Sequence, residues 1–550
     1  MPTLNWIGKD AVIKHHLEVP FHLLKDVPDL ACGDPGTGNL IVQGDNLVAL
    51  KALLPHYASQ VKCVCIDPPY NTGNEGWAYN DNVTSPVIRE WLGKVVGKEG
   101  ETLDRHDRWL CMMYPRLALL KQFLTDDGAI FICLDDNEIG PLRLLMDEIF
   151  GASNFVATVL WQKVYSPKNS AKHFSEDHDY VVIYAKKAEI WRPNLVARSD
   201  DQNSAYKNRD NDPRGPWKTS DLSARNYYSL GTYEIVCPSG RVIDHPPTGN
   251  YWRVSKEKFQ QLDADNRIWW GNKGDAIPQI KRFISEVKQG VVPQTMWFYK
   301  DVGHTQDAKK ELVSIMDFAD SESVFITPKP TRLIERILQI ATNPGDLVLD
   351  SFGGSGTTGH AVLKMNASAS VAVTDEDETP SETDLRRFIM IELEPTVCRE
   401  VTAERIRRAA LGHTNAKGET IKGIGGGFRY CALGEPLFDE TGQIRETVKF
   451  GELARHVYFS ETREPLPRER VPNTPLLGVC RGVAVYLLFN GILGDKTSNG
   501  GNVLTRKTLA KLPPFDGPKV IYCAGCLIGA ERLAEEGITV RQTPYEIRVS

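Results

Sequence analysis

The chain has 550 residues, too many for one ordinary core, so two or three domains are expected. A formal charge of −6 and a pI near 6.1 argue against a basic, histone-like binder, although enzymes acting on DNA can hold their positive charge in one cleft. With no N-terminal apolar signal and no run of about 18 uncharged apolar residues, a cytoplasmic protein without membrane contact is expected.

The predicted elements begin with a strand at 39–43, then Gly44-Asp45-Asn46 and a helix carrying Leu47, Leu50, Leu53 and Leu54 at helical spacing. Val61 to Ile66 is an almost continuous apolar run, as in a buried parallel strand, and Pro68 and Pro69 stop it. A helix over 108–124 leads to another buried strand at 128–134. From about 163 to 326 the α/β rhythm is lost among polar turns, tyrosines and tryptophans, which reads as an inserted domain over 165–325 with a slight excess of Lys and Arg. The rhythm returns with a helix at 331–341, a strand at 347–350, a helix from Thr357 and a strand at 388–393. One sheet is thus expected from two separated stretches, 1–164 and 326–410. Residues 366–384 read as a surface loop, 412–427 as a linker, and 430–550 as an α/β-like accessory domain. The eleven cysteines read as buried reduced thiols; Cys523 and Cys526 lack a second Cys/His pair at zinc spacing, and no metal is expected.

Two motifs carry chemistry. Asp67-Pro68-Pro69-Tyr70 ends a buried strand, where α/β enzymes place their sites. An exocyclic amine on a base is a poor nucleophile because its lone pair is delocalised into the ring. The Asp67 carboxylate and the Pro68 carbonyl can accept its two N–H bonds, and Tyr70 can stack on a base flipped from the duplex. The alternative is a Pro-Pro turn that only caps a strand. The second motif, Asp350-Ser-Phe352-Gly-Gly354-Ser-Gly356-Thr357-Thr-Gly359, lies between a strand and a helix and permits close approach by a ligand. Read alone it also fits the GxGxxG of a nicotinamide enzyme.

Together, with the Asp-Pro-Pro-Tyr motif first, the two resemble motifs IV and I of β-class DNA amino-methyltransferases. Gly44-Asp45-Asn46, Arg105 to Leu110 with Pro115-Arg116-Leu117, Asp135-Asp136-Asn137-Glu138 and Thr327-Pro328-Lys329-Pro330 extend the resemblance to the modification subunits of type III restriction systems, over roughly 1–410. The resemblance implies a Rossmann-like methyltransferase sheet in permuted order, an inserted target-recognition domain, S-adenosyl-L-methionine as cofactor and N6 of adenine in double-stranded DNA as target. N4 of cytosine is the alternative, and a catalytically idle DNA-binding subunit the alternative of another class. It also implies that Asp350, Phe352, Gly354 and Gly356 surround the methionine part of the cofactor, with Thr357, Lys329 and Pro330 in the same pocket. Glu392 then takes the ribose hydroxyls, with Asp375 as the rival, and Asp45 lies near the adenine ring. A separate helicase-nuclease subunit and a homodimer are the partners it suggests. Trp161 either faces the flipped base or is a core or surface tryptophan. His178 and Asp179 read as structural. Trp269, Trp270, Lys273, Lys281 and Arg282 suit contacts to bases and phosphates.

Overall fold

In the computed structural model the described residues are 4–33, 38–72, 90, 93–94, 105–198, 203–287, 290–316, 327–372, 385–415, 418–464, 466, 473–489, 492 and 501–543. They form two compact units, one of residues 1–193 with 294–550 and one of 194–293.

The first unit is built on a ten-stranded sheet: β1 (His22–Asp26), β2 (Leu40–Gln43), β3 (Val61–Ile66), β4 (Leu124–Leu134), β5 (Phe155–Gln162), β6 (His178–Ala185), β7 (Met296–Trp297), β8 (Leu347–Asp350), β9 (Arg387–Glu392) and β10 (Arg429–Pro436). Their order across the sheet is β1-β10-β2-β9-β8-β3-β4-β6-β5-β7, and only β1 and β6 run against the rest. Successive residues of a strand face opposite sides. Val64, Ile66, Leu347, Leu349, Ile389 and Ile391 join the large core on one face. That face is covered by α1 (Asn46–Tyr57), α2 (Arg105–Phe123) and a later helix, Phe450–Thr462. On the other face α3 (Thr331–Ala341) packs on α4 (Thr357–Ala372), and α4 lies against Met390 and on α5 (Glu404–Leu411). Both faces being covered explains why the central strands are apolar without alternation. Each fully buried Val, Leu or Ile there contributes about 1.5–3 kcal/mol.

Several boundaries differ from the sequence reading. The compact second unit is 194–293, narrower than 165–325, because β6 and β7 pair within the large sheet. Residues 430–550 do not begin apart from it, since β10 sits between β1 and β2. Further on, β11 (Leu476–Cys480), β12 (Val483–Leu487), β13 (Lys519–Cys523) and β14 (Ile538–Gln542) make a four-stranded sheet. Its Val485, Leu487, Val520 and Tyr522 pack into the main core, while Ala484, Tyr486, Ile521 and Cys523 face a smaller cluster. The supposed loop after Asn366 begins as helix, since α4 runs to Ala372, and Asp375 lies outside the described residues. The supposed linker holds a small hairpin, Gly412–Thr414 with Thr420–Lys422.

The second unit centres on three antiparallel strands, Ile268–Trp269, Gln279–Phe283 and Trp217–Asp221, with a core of Leu222, Ile235, Trp252, Phe259, Ile268 and Ile280. Among the described residues no helix is long and apolar enough to cross a membrane, and no group of three metal-binding side chains converges.

Candidate active site

β2, β3, β8 and β9 are parallel, so Asp45, Asp67, Asp350 and Glu392 all fall at or just beyond the same edge of the sheet. Pro68 and Pro69 have no N–H to extend a ladder, and Asn71 then turns with φ +57°. The turn is pinned from behind. Trp109 donates from Nε1 to the Pro69 carbonyl at 2.7 Å, and Asn71 donates to Glu138 at 2.5 Å and to the Arg105 carbonyl at 3.1 Å. His106 Nδ1 also meets the Glu138 carboxyl at 2.7 Å. Burial pushes the Glu138 pKa up, against the opposing pull of Asn71 and His106.

That leaves an unusual set of free acceptors. Asp67 Oδ2 takes the Lys329 ammonium at 2.5 Å, but Asp67 Oδ1 is buried without a hydrogen-bond partner, and so is the Tyr70 hydroxyl. Among the described residues none donates to the Pro68 carbonyl. Buried polar atoms are rarely left unpaired, because each costs about 1–3 kcal/mol. An incoming group with two N–H donors would satisfy both acceptors. Lys329 also lies 4.9 Å from the centroid of the Tyr70 ring. Burial disfavours its charge, but Asp67, with Cys133 and Asp179 beyond it, outweighs this and raises its pKa above the usual lysine value. Burial raises the Tyr70 phenol, with Asp67 adding to the effect.

The glycine-rich turn forms the facing wall. Asp350 accepts the Phe352 N–H at 3.0 Å and the Thr358 hydroxyl at 2.6 Å. Burial pushes its carboxyl up to about 7, against those two bonds, and Asp67 and Glu392 push the same way as burial. Glu392, 2% exposed, accepts the Gly354 N–H at 2.7 Å and the Glu394 N–H at 3.0 Å, so it fixes the bend of the turn. Gly356 needs to be glycine: its φ is +78°, and a Cβ would lie 2.8 Å from the Thr402 carbonyl. Arg405, fully buried, donates to the Ser355 carbonyl at 3.2 Å and to Thr357 Oγ1 at 2.8 Å, while Thr357 Oγ1 reaches the Lys329 carbonyl at 3.2 Å. Asp45 caps α1 through the N–H groups of Leu47 and Val48 and takes Arg116 at 3.1 Å. Beside it, Asn46 donates to the Ser351 carbonyl at 2.9 Å.

Both motifs open into one cavity, whose wall includes Asp67, Tyr70, Lys329, Asp350, Phe352 and Gly354, with Pro68, Pro69 and Thr357. Asp45, Pro330, Gly356 and Glu392, expected at the cofactor, do not line it; Glu392 is tied to the wall through the Gly354 N–H. The carboxylates and the open glycine turn fit a cationic ligand of the sulfonium type, and the buried, unpartnered Ser351 hydroxyl adds a further polar atom beside that turn.

Other expected contacts sit elsewhere. Trp161 is 1% exposed and donates from Nε1 to the Gly303 carbonyl at 2.9 Å. Asp179 pairs with Lys163 at 2.6 Å; burial raises its pKa and Lys163 opposes the rise. In the second unit Lys281, 1% exposed, is enclosed by Asp210 and Asp212 and cannot reach a phosphate, because the strand turns it inward. Trp269 packs on Trp217 with centroids 5.0 Å apart, and Trp270 bonds Asp263 at 3.0 Å. Lys273 and Arg282 are exposed. The supporting roles of Asn71, Trp109, Glu138 and Arg405 were not assigned from sequence. For Asn71 the one visible sign was an asparagine directly after the Pro-Pro-Tyr stop.

The sheet and its two motifs define an α/β protein with a glycine-rich turn and an open Asp67 acceptor in one cavity. The DNA methylase family matches residues 61–404, and the chain belongs to it. Its relatives include the StyLTI Mod subunit of Salmonella typhimurium, 33% identical over 66% of this chain and 56% of that protein. The EcoPI Mod subunit of Escherichia phage P1 is 30% identical over 66% of this chain and 61% of its own length, and the EcoP15I Mod subunit of Escherichia coli 28% over 66% and 62%. All three are type III restriction-modification proteins, and this chain spans about three fifths of their length.

Proposed function

We propose that this protein transfers a methyl group from S-adenosyl-L-methionine to N6 of adenine within a specific sequence of double-stranded DNA. The observation that carries the reading is the pair of acceptors, Asp67 Oδ1 and the Pro68 carbonyl, left open in the cavity that also holds Asp350 and the glycine turn. The cofactor supplies an electrophilic methyl group on a cationic sulfur. Asp350, Phe352, Gly354, Thr357 and Lys329 would hold it, with Glu392 at the ribose. The chain's part is to orient the amine. Two N–H bonds to Asp67 and Pro68 draw the nitrogen lone pair out of conjugation and aim it at the methyl carbon, while Tyr70 stacks on the flipped base. The N–C bond forms as the S–C bond breaks, and the surplus proton leaves the nitrogen afterwards, so no general base is required.

The second unit, residues 194–293, is proposed to choose the sequence, with the exposed Lys273 and Arg282 among its DNA contacts. Similarity to type III Mod subunits supports a separate restriction subunit as partner; assembly as a homodimer is proposed with it. The test is to incubate the purified chain with plasmid DNA and isotopically labelled cofactor, digest to nucleosides and resolve them by mass spectrometry. Label in N6-methyladenine supports the reading; label in N4-methylcytosine, or in neither base, overturns it. Methylation-sensitive sequencing of the same DNA gives the recognised site.

A further inference from the structure

The connection between β5 and β6 has no part in the site as described. β5 runs in the same direction as β3, so this connection lies at the sheet edge where β3 ends in Asp67. β6 is two strands from β3, roughly 10 Å at ordinary strand spacing. The connection is ordered by its own bonds: Lys163 N–H to the Asp177 carbonyl at 2.9 Å, Lys168 N–H to Ser175 Oγ at 2.8 Å, and Ser175 Oγ to Asp177 at 2.5 Å. At its far end is Phe174, 91% exposed, more than any other large apolar side chain among the described residues. Lys168, Lys172 and His173 beside it are exposed too. Single exposed apolar residues are common on protein surfaces. An almost fully exposed phenylalanine on a braced, basic loop at the catalytic edge is a more particular arrangement.

We propose that Phe174 is an apolar wedge that enters the DNA stack at the gap left by the target adenine, while Lys168 and Lys172 hold the flanking phosphates. The proposal rests on the reading of this chain as a base-flipping DNA methyltransferase. Apolar side chains inserted between base steps stabilise unstacked DNA, and flipping costs a few kcal/mol that such a contact offsets. The cost is smallest where the target base is already unpaired. Phe174 thus acts on the duplex rather than on the reacting atoms.

The experiment compares the wild-type chain with Phe174→Ala and Phe174→Leu on two duplexes carrying its site, one fully paired and one with an abasic position opposite the target adenine. Phe174→Ala should lower kcat/KM about ten-fold or more on the paired duplex and run at the wild-type rate on the abasic one. Phe174→Leu should keep most of the paired-duplex rate. With 2-aminopurine at the target position, Phe174→Ala should also lose most of the fluorescence rise that reports flipping. Equal rates for Phe174→Ala and wild type on both duplexes, or an equal loss on both, would overturn the wedge. Absence of N6-methyladenine from the wild-type reaction would instead remove the underlying function.

Discussion

Lys329 Nζ and Asp67 Oδ2 are 2.5 Å apart across 262 positions of sequence, joining the segment before α3 to the end of β3. The ammonium is 8% exposed by residue and has the Asp67 carboxylate as its close anion, so the two groups stabilise each other's charge. Removing one of them leaves the other buried and uncompensated. Asp67→Ala should therefore cost about 2–4 kcal/mol of stability, somewhat less than a fully enclosed pair because Asp67 is partly open. The double variant Asp67→Ala with Lys329→Met should recover much of that loss without recovering activity. Urea unfolding of the single and double variants checks it; strict additivity would show that the pair is not coupled.

Asp350 gives a pH dependence. Its folded value of about 7 lies above its ordinary 3.8, so between about pH 4 and 7 the native state keeps a proton that the unfolded chain releases. Stability without cofactor should fall as pH rises through that window and level off above it. Asp350→Asn removes the titration, so it should match the wild type near pH 4 and be the more stable protein at pH 8. Melting temperatures at four or five pH values decide the point, and an unchanged slope in the variant would rule Asp350 out as its source.

Glu138→Ala should leave His106 without its acceptor and Asn71 with only the Arg105 carbonyl, and loosen the turn that holds Asp67. The expected cost is about 1–3 kcal/mol. Because Glu138 is not part of the cavity wall, kcat should drop while calorimetric cofactor affinity stays near wild type. A variant that loses cofactor affinity and kcat together would place Glu138 in the cofactor wall.

Neighbouring residues of one strand should separate stability from the proposed DNA contact in the second unit. Lys281→Ala should destabilise by about 1–3 kcal/mol, since it takes the buried ammonium from Asp210 and Asp212, which keep Trp217 and Arg214 as partners. Arg282→Ala should leave the melting temperature alone and weaken DNA binding with a shallower salt dependence. Equal melting losses for the two would contradict the alternation read from the strand.

Much of the α/β frame is legible in the sequence because buried parallel strands and amphipathic helices leave local patterns. Val61–Ile66, Leu347–Asp350 and Thr331–Ala341 have the same limits in the structure as in the sequence reading. What is not local is less legible. β6 and β10 complete the large sheet through partners far away in sequence, and β6 follows a polar loop that resembles the start of another domain. The inward turn of Lys281 depends on strand register, which composition does not reveal. Glu138 lies in a run of acidic and amide residues whose composition does not reveal that its side chain is fully enclosed. At the site, the motifs were visible separately; their meeting in one cavity was implied by the family resemblance and not by spacing.

The central claim is that Asp67 serves the amine and not the cofactor. The measurement is mass-spectrometric detection of N6-methyladenine from labelled cofactor with wild type and Asp67→Ala, alongside calorimetric cofactor binding on protein shown to be folded. The account predicts N6-methyladenine from the wild type, at least about a hundred-fold less from Asp67→Ala, and similar cofactor affinity for both. A folded Asp67→Ala protein that methylates adenine at near the wild-type rate would contradict it.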